Sequence, residues 1–410
     1  MGAFEGTGDL LQGGRSATIG GRAVAHSTGP SNYYYQRGVL VVPDEFLDDL
    51  VQALGRMGVT SKQARIDPIG KTGVTQIRLT TRRATDRLVE DLGGSIPVEP
   101  SYVLFPAIHV KGFSARRPVP APRPAIPRSP LRGRGKNVNI GVVDLGFFDP
   151  EEAGHPTWAT NGVELDRLVD LPDPGAIHNP YVGHGNAVVG ILKQLAPGAT
   201  VFTSTIESQP SDAPGGTTDR RLAEAIARLL DKNRIHVLVV PFGGSTRHGT
   251  MPVTESVVEP HLGSTLVVAS AGNDGLDPTL YPAVDPDIVG VGAWRKRAAD
   301  LGWLNKVCSS VTSPIDALGS LALADWSNKG IAVQLAAAGI AIPAPFVSAT
   351  LKIRSGSLDK PAGVKAARFS GWGLFTGTSF SAAVVAGCIA GEVGGSTPPT
   401  PETLNSAAMK

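Results

Sequence analysis

Four polar residues occur along the chain in the order Asp144, His184, Asn273, Ser379, each at the edge of an apolar run. Ser379 lies in Gly377-Thr378-Ser379-Phe380-Ser381-Ala382-Ala383-Val384-Val385-Ala386-Gly387, where a tight Gly-Thr turn enters an Ala/Val-rich stretch long enough for a buried helix. A serine at a helix start exposes its hydroxyl with the positive helix end behind it. That suits a nucleophile that generates an oxyanion, and it equally suits a simple cap. His184 stands between glycines in Gly183-His184-Gly185-Asn186, where it has little packing role and can serve as a base. Asp144 directly follows an apolar run, so its nearly buried carboxylate needs a hydrogen-bonding partner; a turn cap and an orienting role both fit. Asn273, in Ser270-Ala271-Gly272-Asn273-Asp274-Gly275, fits either a left-handed turn or a donor to a developing negative oxygen. Nucleophile, base, orienting carboxylate and oxyanion donor are the parts required to attack a carbonyl and hold the tetrahedral intermediate.

Something must position these four groups. Apolar runs predict strands over 138–143, 200–204, 235–240, 265–269 and 288–291, with helices over 186–195 and 219–232. The second helix is amphipathic, with Leu222, Ala225, Ile226, Leu229 and Leu230 on one side. Strands with little polar alternation, separated by helices, imply a mostly parallel sheet covered on both faces, an α/β fold. In such sheets functional groups gather at the carboxyl ends of the strands, where the four residues fall.

Upstream, 39–42, 64–67, 74–80 and 98–105 read as strands, and 44–57 and 84–92 as helices, with Asp44 able to cap the first. This βαββαβ order describes a small ferredoxin-like α+β unit over 38–107. Residues 1–37 are Gly/Ser/Thr-rich and read as a flexible leader, with Tyr33-Tyr34-Tyr35 packing on the next unit. Residues 108–136 read as an extended linker, because from Lys111 to Lys136 there are eight Lys or Arg, six Pro and no acid. Such a segment offers itself to a protease. A domain over 137–395 and a short tail over 396–410 complete the division.

Composition removes several classes of function. A 410-residue chain with 41% hydrophobic and 18% charged residues has ample core for two or three globular units. A formal charge of +2, with few aromatics in the basic linker, argues against nucleic acid as a partner. No apolar run is long enough to span a membrane and no secretion signal is visible, so a cytoplasmic location is expected. Cys308 and Cys388 lack metal spacing and are too few for a disulfide framework. No cofactor is expected, and structural calcium has no Asp-x-Asp-x-Asp-Gly loop to mark it. A dinucleotide fingerprint fails because the glycine after Gly183 and Gly185 is Gly190, and Gly70-Lys71-Thr72 fails as a phosphate loop because Arg65 stands where glycine is needed.

The order Asp, His, Ser is one of three unrelated orders known for this chemistry. The blocks Val143-Asp144-Leu145-Gly146, His184-Gly185-Asn186-Ala187-Val188-Val189-Gly190, Ser270-Ala271-Gly272-Asn273 and Gly377-Thr378-Ser379-Phe380-Ser381-Ala382-Ala383 resemble the subtilisin-like serine peptidases over 137–391. The resemblance implies a peptide or protein substrate and a serine endopeptidase with Asp144, His184 and Ser379 as triad. Asn273 and the Ser379 backbone N–H would be the oxyanion donors. It implies that Pro241, Phe242, Gly243 and Gly244 pair with substrate backbone, and that Ser270, Ala271, Gly272 and Asp274 line the adjoining pocket, with Asp274 favouring a basic side chain. The unit over 38–107 resembles the family's propeptide, which implies an intramolecular inhibitor, and the exposed basic linker leads us to expect a self-inhibited zymogen cut between Phe105 and Lys136. A latent protease scaffold used for binding is the alternative.

Four features depart from the family pattern. Asn186 and Ala187 follow His184-Gly185 where Thr-His is common, and Phe380 stands where methionine is usual. Pro241 replaces a serine and removes one N–H. The interval from Asn273 to Ser379 is long, which implies an insertion within 296–318 or 343–365.

Overall fold

The computed structural model describes residues 8–9, 11–12, 15–19, 21–27, 33–80, 85–105, 117–122, 133–207, 216–275, 280–304, 306–313, 322–356 and 361–409. Its largest layer is a seven-stranded parallel sheet. In spatial order the strands are Val163–Glu164, Thr200–Thr205, Asn139–Asp144, Val237–Val240, Leu266–Ser270, Val289–Arg297 and Leu335–Ile340. The central strands carry almost no polar alternation because helices cover both faces. On one face lie the helices His184–Leu195 and Thr378–Val393, whose Val188, Ile191, Leu192, Val384 and Val385 join Ile140, Val142, Val239 and Val268 in one core. On the other lies Asp219–Lys232, which buries Leu222, Ala225, Ile226, Leu229 and Leu230 against Val143, Leu238 and Val267. Thr378–Val393 is buried on all sides from Thr378 to Gly391, which explains its Ala/Val/Gly composition: only small residues let a helix be enclosed by sheet and helices together.

In the interval after Asn273, Thr350–Gly356 and Pro361–Arg368 form an antiparallel hairpin, and Ile177–His178 adds a parallel strand to it. Leu351 and Ile353 of this hairpin are fully buried in the same core as Val188, Ile191 and Val384.

The N-terminal unit has strands Tyr34–Pro43, Ala64–Pro68, Val74–Leu79 and Glu99–Leu104 and helices Leu47–Arg56 and Thr85–Leu92. Tyr34–Pro43 lies between Glu99–Leu104 and Val74–Leu79, and Ala64–Pro68 forms the outer strand, antiparallel throughout, as in a ferredoxin-like sheet. The helices bury Leu50, Ala53, Leu54, Leu88, Val89 and Leu92 against Leu40, Val42, Ile77 and Leu79. Asp44 does not cap its helix; its Oδ1 accepts from Thr75 Oγ1 at 2.6 Å, and the chain enters through a 3-10 turn over Asp44–Phe46.

Four expectations need correction. The leader is not free: Arg22–His26 pairs with Gly8–Asp9, with Thr18–Ile19 and with Tyr34–Pro43. Ile19, Val24 and Ala25 are fully buried, so a few apolar residues outweighed a polar composition. The described parts of the linker are docked: Val119–Pro120 pairs with Trp372–Phe375, and the Arg134 carbonyl accepts from the Gly198 N–H at 2.8 Å while its side chain donates to Cys388 O at 3.2 Å; residues 106–116 and 123–132 lie outside the described residues. The tail contains the helix Pro401–Ala408, capped by Thr400, with Leu404 buried in the core. Cys308 and Cys388 form a disulfide, Cα to Cα 5.4 Å, across a separation of 80 residues that no local spacing could reveal.

Candidate active site

Asp144 ends the strand Asn139–Asp144 opposite Thr205 and is fully buried. Its Oδ1 accepts from the Leu145 N–H at 2.8 Å and its Oδ2 lies 2.7 Å from His184 Nδ1. A carboxylate at Nδ1 holds the proton on that nitrogen and leaves Nε2 as an acceptor. His184 opens its helix after Gly183, whose φ of 71° and close approach to Phe346, 2.3 Å from where a Cβ would stand, both require glycine. The imidazole lies between Phe380, 5.0 Å between ring centres, and Phe242 at 6.4 Å. Its Nε2 is buried and makes no hydrogen bond.

Asn186, which entered the sequence reading only as a departure, ties this half together. Its Oδ1 accepts from Phe148 N–H at 3.0 Å and its Nδ2 donates to Phe148 O at 2.9 Å, joining the loop after Asp144 to the His184 helix.

Ser379 is the second residue of the helix Thr378–Val393 and 1% exposed. Its Oγ donates to the Pro241 carbonyl at 3.0 Å. Asn273 follows the strand Leu266–Ser270, and its Oδ1 accepts from both the N–H and the Oγ1 of Thr378, each at 2.9 Å. With Oδ1 so held, Nδ2 lies on the Gly377 side, 3.4 Å from where a Cβ on Gly377 would stand. Thr378 had no role in the sequence reading; a hydroxyl next to the nucleophile gives no signal until the loop of Asn273 folds onto it.

The neighbouring residues divide into two groups. Ser270, Ala271, Gly272 and Asp274 are all buried around Asn273, and the Ala271 N–H donates to Val291 O at 3.0 Å. Burial, with a smaller contribution from the Asp274 carboxylate, holds the Tyr181 phenol well above its ordinary range. Pro241, Phe242, Gly243 and Gly244 form the second group. Gly243 bridges antiparallel to Phe105, and Gly244–Ser245 pairs with Leu280–Tyr281.

The last strand of the N-terminal unit reaches a second edge that the sequence reading missed. Leu104 pairs with Thr217 and Val103 with Thr218, antiparallel, so Val103, Leu104 and Phe105 lie between Thr217–Thr218 and Gly243. The run Gly216-Thr217-Thr218 before the helix at Asp219 was the available signal. Side chains hold the same contact: Glu99 Oε1 meets His248 Nδ1 at 2.8 Å, Tyr102 Oη accepts from Arg247 N–H at 3.0 Å, and Arg220 donates to Gln76 Oε1 at 3.2 Å. Tyr33 and Tyr35 pack with Tyr102 in a core shared with Phe242 and Met251. Among the described residues no group of three or more His, Cys, Asp or Glu is placed to hold a metal ion, and no helix is long and apolar enough to cross a membrane.

Comparison with known proteins agrees with this fold. The subtilase family model matches residues 135–406. Among solved structures, fervidolysin from Fervidobacterium pennivorans, a keratinolytic enzyme related to subtilisin, is 17% identical with a TM-score of 0.52, over 95% of this chain and 58% of that one. The chain thus spans little more than half the length of fervidolysin. The self-cleaved protease domain of PatA is 23% identical with a TM-score of 0.44, over 66% of this chain and 88% of that one. A lanthipeptide protease is 18% identical with a TM-score of 0.45, over 67% and 79%. With the family model covering well over half of the chain, the protein belongs to the subtilase family of serine proteases.

Proposed function

We propose that the protein is a serine endopeptidase whose triad is Asp144, His184 and Ser379, and that its N-terminal unit inhibits it until the connecting segment is cut. Ser379 Oγ would leave the Pro241 carbonyl and attack the scissile carbonyl while His184 Nε2 takes its proton. The imidazolium formed is supported by Asp144 and then protonates the leaving amine. Asn273 Nδ2 and the Ser379 N–H would hold the oxyanion. Water completes the reaction by attacking the acyl-enzyme, with His184 again as base.

The path of the chain carries this reading. Phe105 sits beside Gly243, and the chain is next described over 117–122, where Val119–Pro120 pairs with the strand Trp372–Phe375 that leads to Gly377 and Ser379. The two ends flank the nucleophile, which supports cleavage within a continuous chain and narrows the expected cut to the bonds between Phe105 and Val119. Strand pairing on two edges is also how an extended peptide binds by β-augmentation.

The alternative, a latent scaffold, draws on one observation: Ser379 Oγ is bonded to Pro241 and His184 Nε2 has no partner. Two measurements on the full chain separate the readings. A serine-directed phosphonate is expected to label Ser379, and the intact mass of the wild type is expected to show a cut between Phe105 and Val119 that is missing in Ser379→Ala. No label and equal masses would leave the latent scaffold standing.

A further inference from the structure

Asn328 takes no part in the chemistry above, lies in the segment that follows Asp325, and is fully buried. Its Oδ1 accepts from the Asp274 N–H at 2.9 Å, its Nδ2 donates to Ala271 O at 2.7 Å, and its own N–H donates to Gly272 O at 3.0 Å. These contacts grip the backbone on both sides of Asn273. They also explain Gly272, whose φ is +98° and where a Cβ would stand 2.3 Å from Asn328 Nδ2. The segment is itself anchored to the sheet, because the Ala293 N–H donates to Ser327 Oγ at 3.0 Å and the Ala324 N–H to Ala293 O at 2.8 Å.

The loop is therefore held from two directions. From the nucleophile helix, Thr378 binds Asn273 Oδ1, and its Oγ1 accepts from the Gly272 N–H at 3.1 Å. From the opposite side, Asn328 fixes the peptide groups that flank Asn273. Thr378 alone fixes one end of the Asn273 side chain, and the backbone that bears it turns at a glycine, the residue with most conformational freedom.

We infer that Asn328 is a positioning residue for the oxyanion donor, holding 271–274 so that Asn273 Nδ2 stays aimed at the turn before Ser379. The inference rests on the reading of Asn273 as that donor. Without Asn328, Ala271 O and the Asp274 N–H become buried and unpaired, and the loop relaxes or admits water to satisfy them. A loose donor stabilises the transition state less, because preorganisation is the source of its effect. The strand-pairing edges at Thr217–Thr218 and Gly243 are untouched, so ground-state binding of a peptide is retained.

The test uses the full-length, self-processed protein and a fluorogenic peptide. Asn328→Asp keeps an acceptor for the Asp274 N–H and loses the donor to Ala271 O; Asn328→Leu, of similar size, loses both. Removing one oxyanion donor outright costs about 10²–10³ in kcat, so the loss of its brace is expected to cost about 10-fold in Asn328→Asp and up to about 10² in Asn328→Leu, with KM within about twofold. A residue that matters only for folding would lower the yield of phosphonate-reactive sites and leave kcat per site unchanged, which overturns the inference. So does a double variant Asn328→Leu/Asn273→Ala in which the two losses multiply, since a brace has nothing to hold once the donor is gone. A readout free of activity is amide hydrogen exchange at 271–275 in the Ser379→Ala background: added Asn328→Asp is expected to speed it, and unchanged exchange overturns the inference. Failure of the wild type to react with the phosphonate sinks the peptidase reading instead, and the exchange measurement still decides whether Asn328 holds the loop.

Discussion

The two halves of the cleft stand in different states. Asp144 and His184 are already joined at 2.7 Å, both buried, with the carboxylate's second oxygen held by the Leu145 N–H and the two loops tied by Asn186. In the other half, Ser379 donates to Pro241 O, while Asn273 is braced but its Nδ2 waits at the cleft. Orienting a base needs only fixed partners, so the fold completes it in the ground state. The contact between Ser379 and His184 is different: on the proposed reading, a peptide laid along 241–244 would carry N–H donors able to compete for the Pro241 carbonyl. Contacts of this kind commonly tighten only when substrate binds.

Breaking the assembled half has the largest expected effect. Asp144→Asn keeps the shape but cannot hold the proton on His184 Nδ1, and kcat per phosphonate-titrated site is expected to fall about 10⁴-fold. A loss smaller than about tenfold would show that the pair is not what orients the base.

The second prediction concerns the scaffold of the serine half. Cys388 lies on the nucleophile helix, and its bond to Cys308 closes a span of 80 residues. Chain-entropy arguments assign such a cross-link about 4 kcal/mol, so Cys308→Ala/Cys388→Ala is expected to lower Tm by about 10 °C. An unchanged melting curve would mean that packing alone holds the helix.

The smallest effect lies in the wall behind the Thr217–Thr218 edge. Burial, with smaller contributions from Asp219, Glu259 and Asp285, pushes the Glu255 carboxyl up to about 7. A carboxyl raised on folding binds its proton more tightly in the folded chain, so its contribution is present below about pH 4.5 and lost as pH rises through 7. Glu255→Gln should match the wild type at pH 4 and melt a few degrees higher at pH 8, about 2–4 °C. Equal melting temperatures at both pH values would place this carboxyl in solvent. Neither half of the site would then owe anything to it.

Residues whose role depends on local context were readable along the chain. The order of Asp144, His184, Asn273 and Ser379, the apolar strands before them and the amphipathic face of Asp219–Lys232 need only nearest neighbours to interpret. Some boundaries moved: the strand expected over 288–291 runs on six residues further as Val289–Arg297, because Leu335–Ile340 pairs with its extension through an irregular register. The leader misled because composition counts residues, while burial depends on which few of them are apolar and where they point.

Side-chain chemistry at strand ends and helix starts was thus enough, from the order of residues alone, to name an α/β fold and its covering helices, and to propose four groups for acyl transfer. The tertiary structure decided everything that joins distant segments. It set the disulfide between Cys308 and Cys388, the grip of Asn328 on the loop of Asn273, the hold of Thr378 on its side chain, and the docking of Val103, Leu104 and Phe105 between two edges. Such contacts form between groups whose neighbours in sequence are unremarkable, and they exist only once packing of the sheet and its helices has brought those groups within hydrogen-bonding reach.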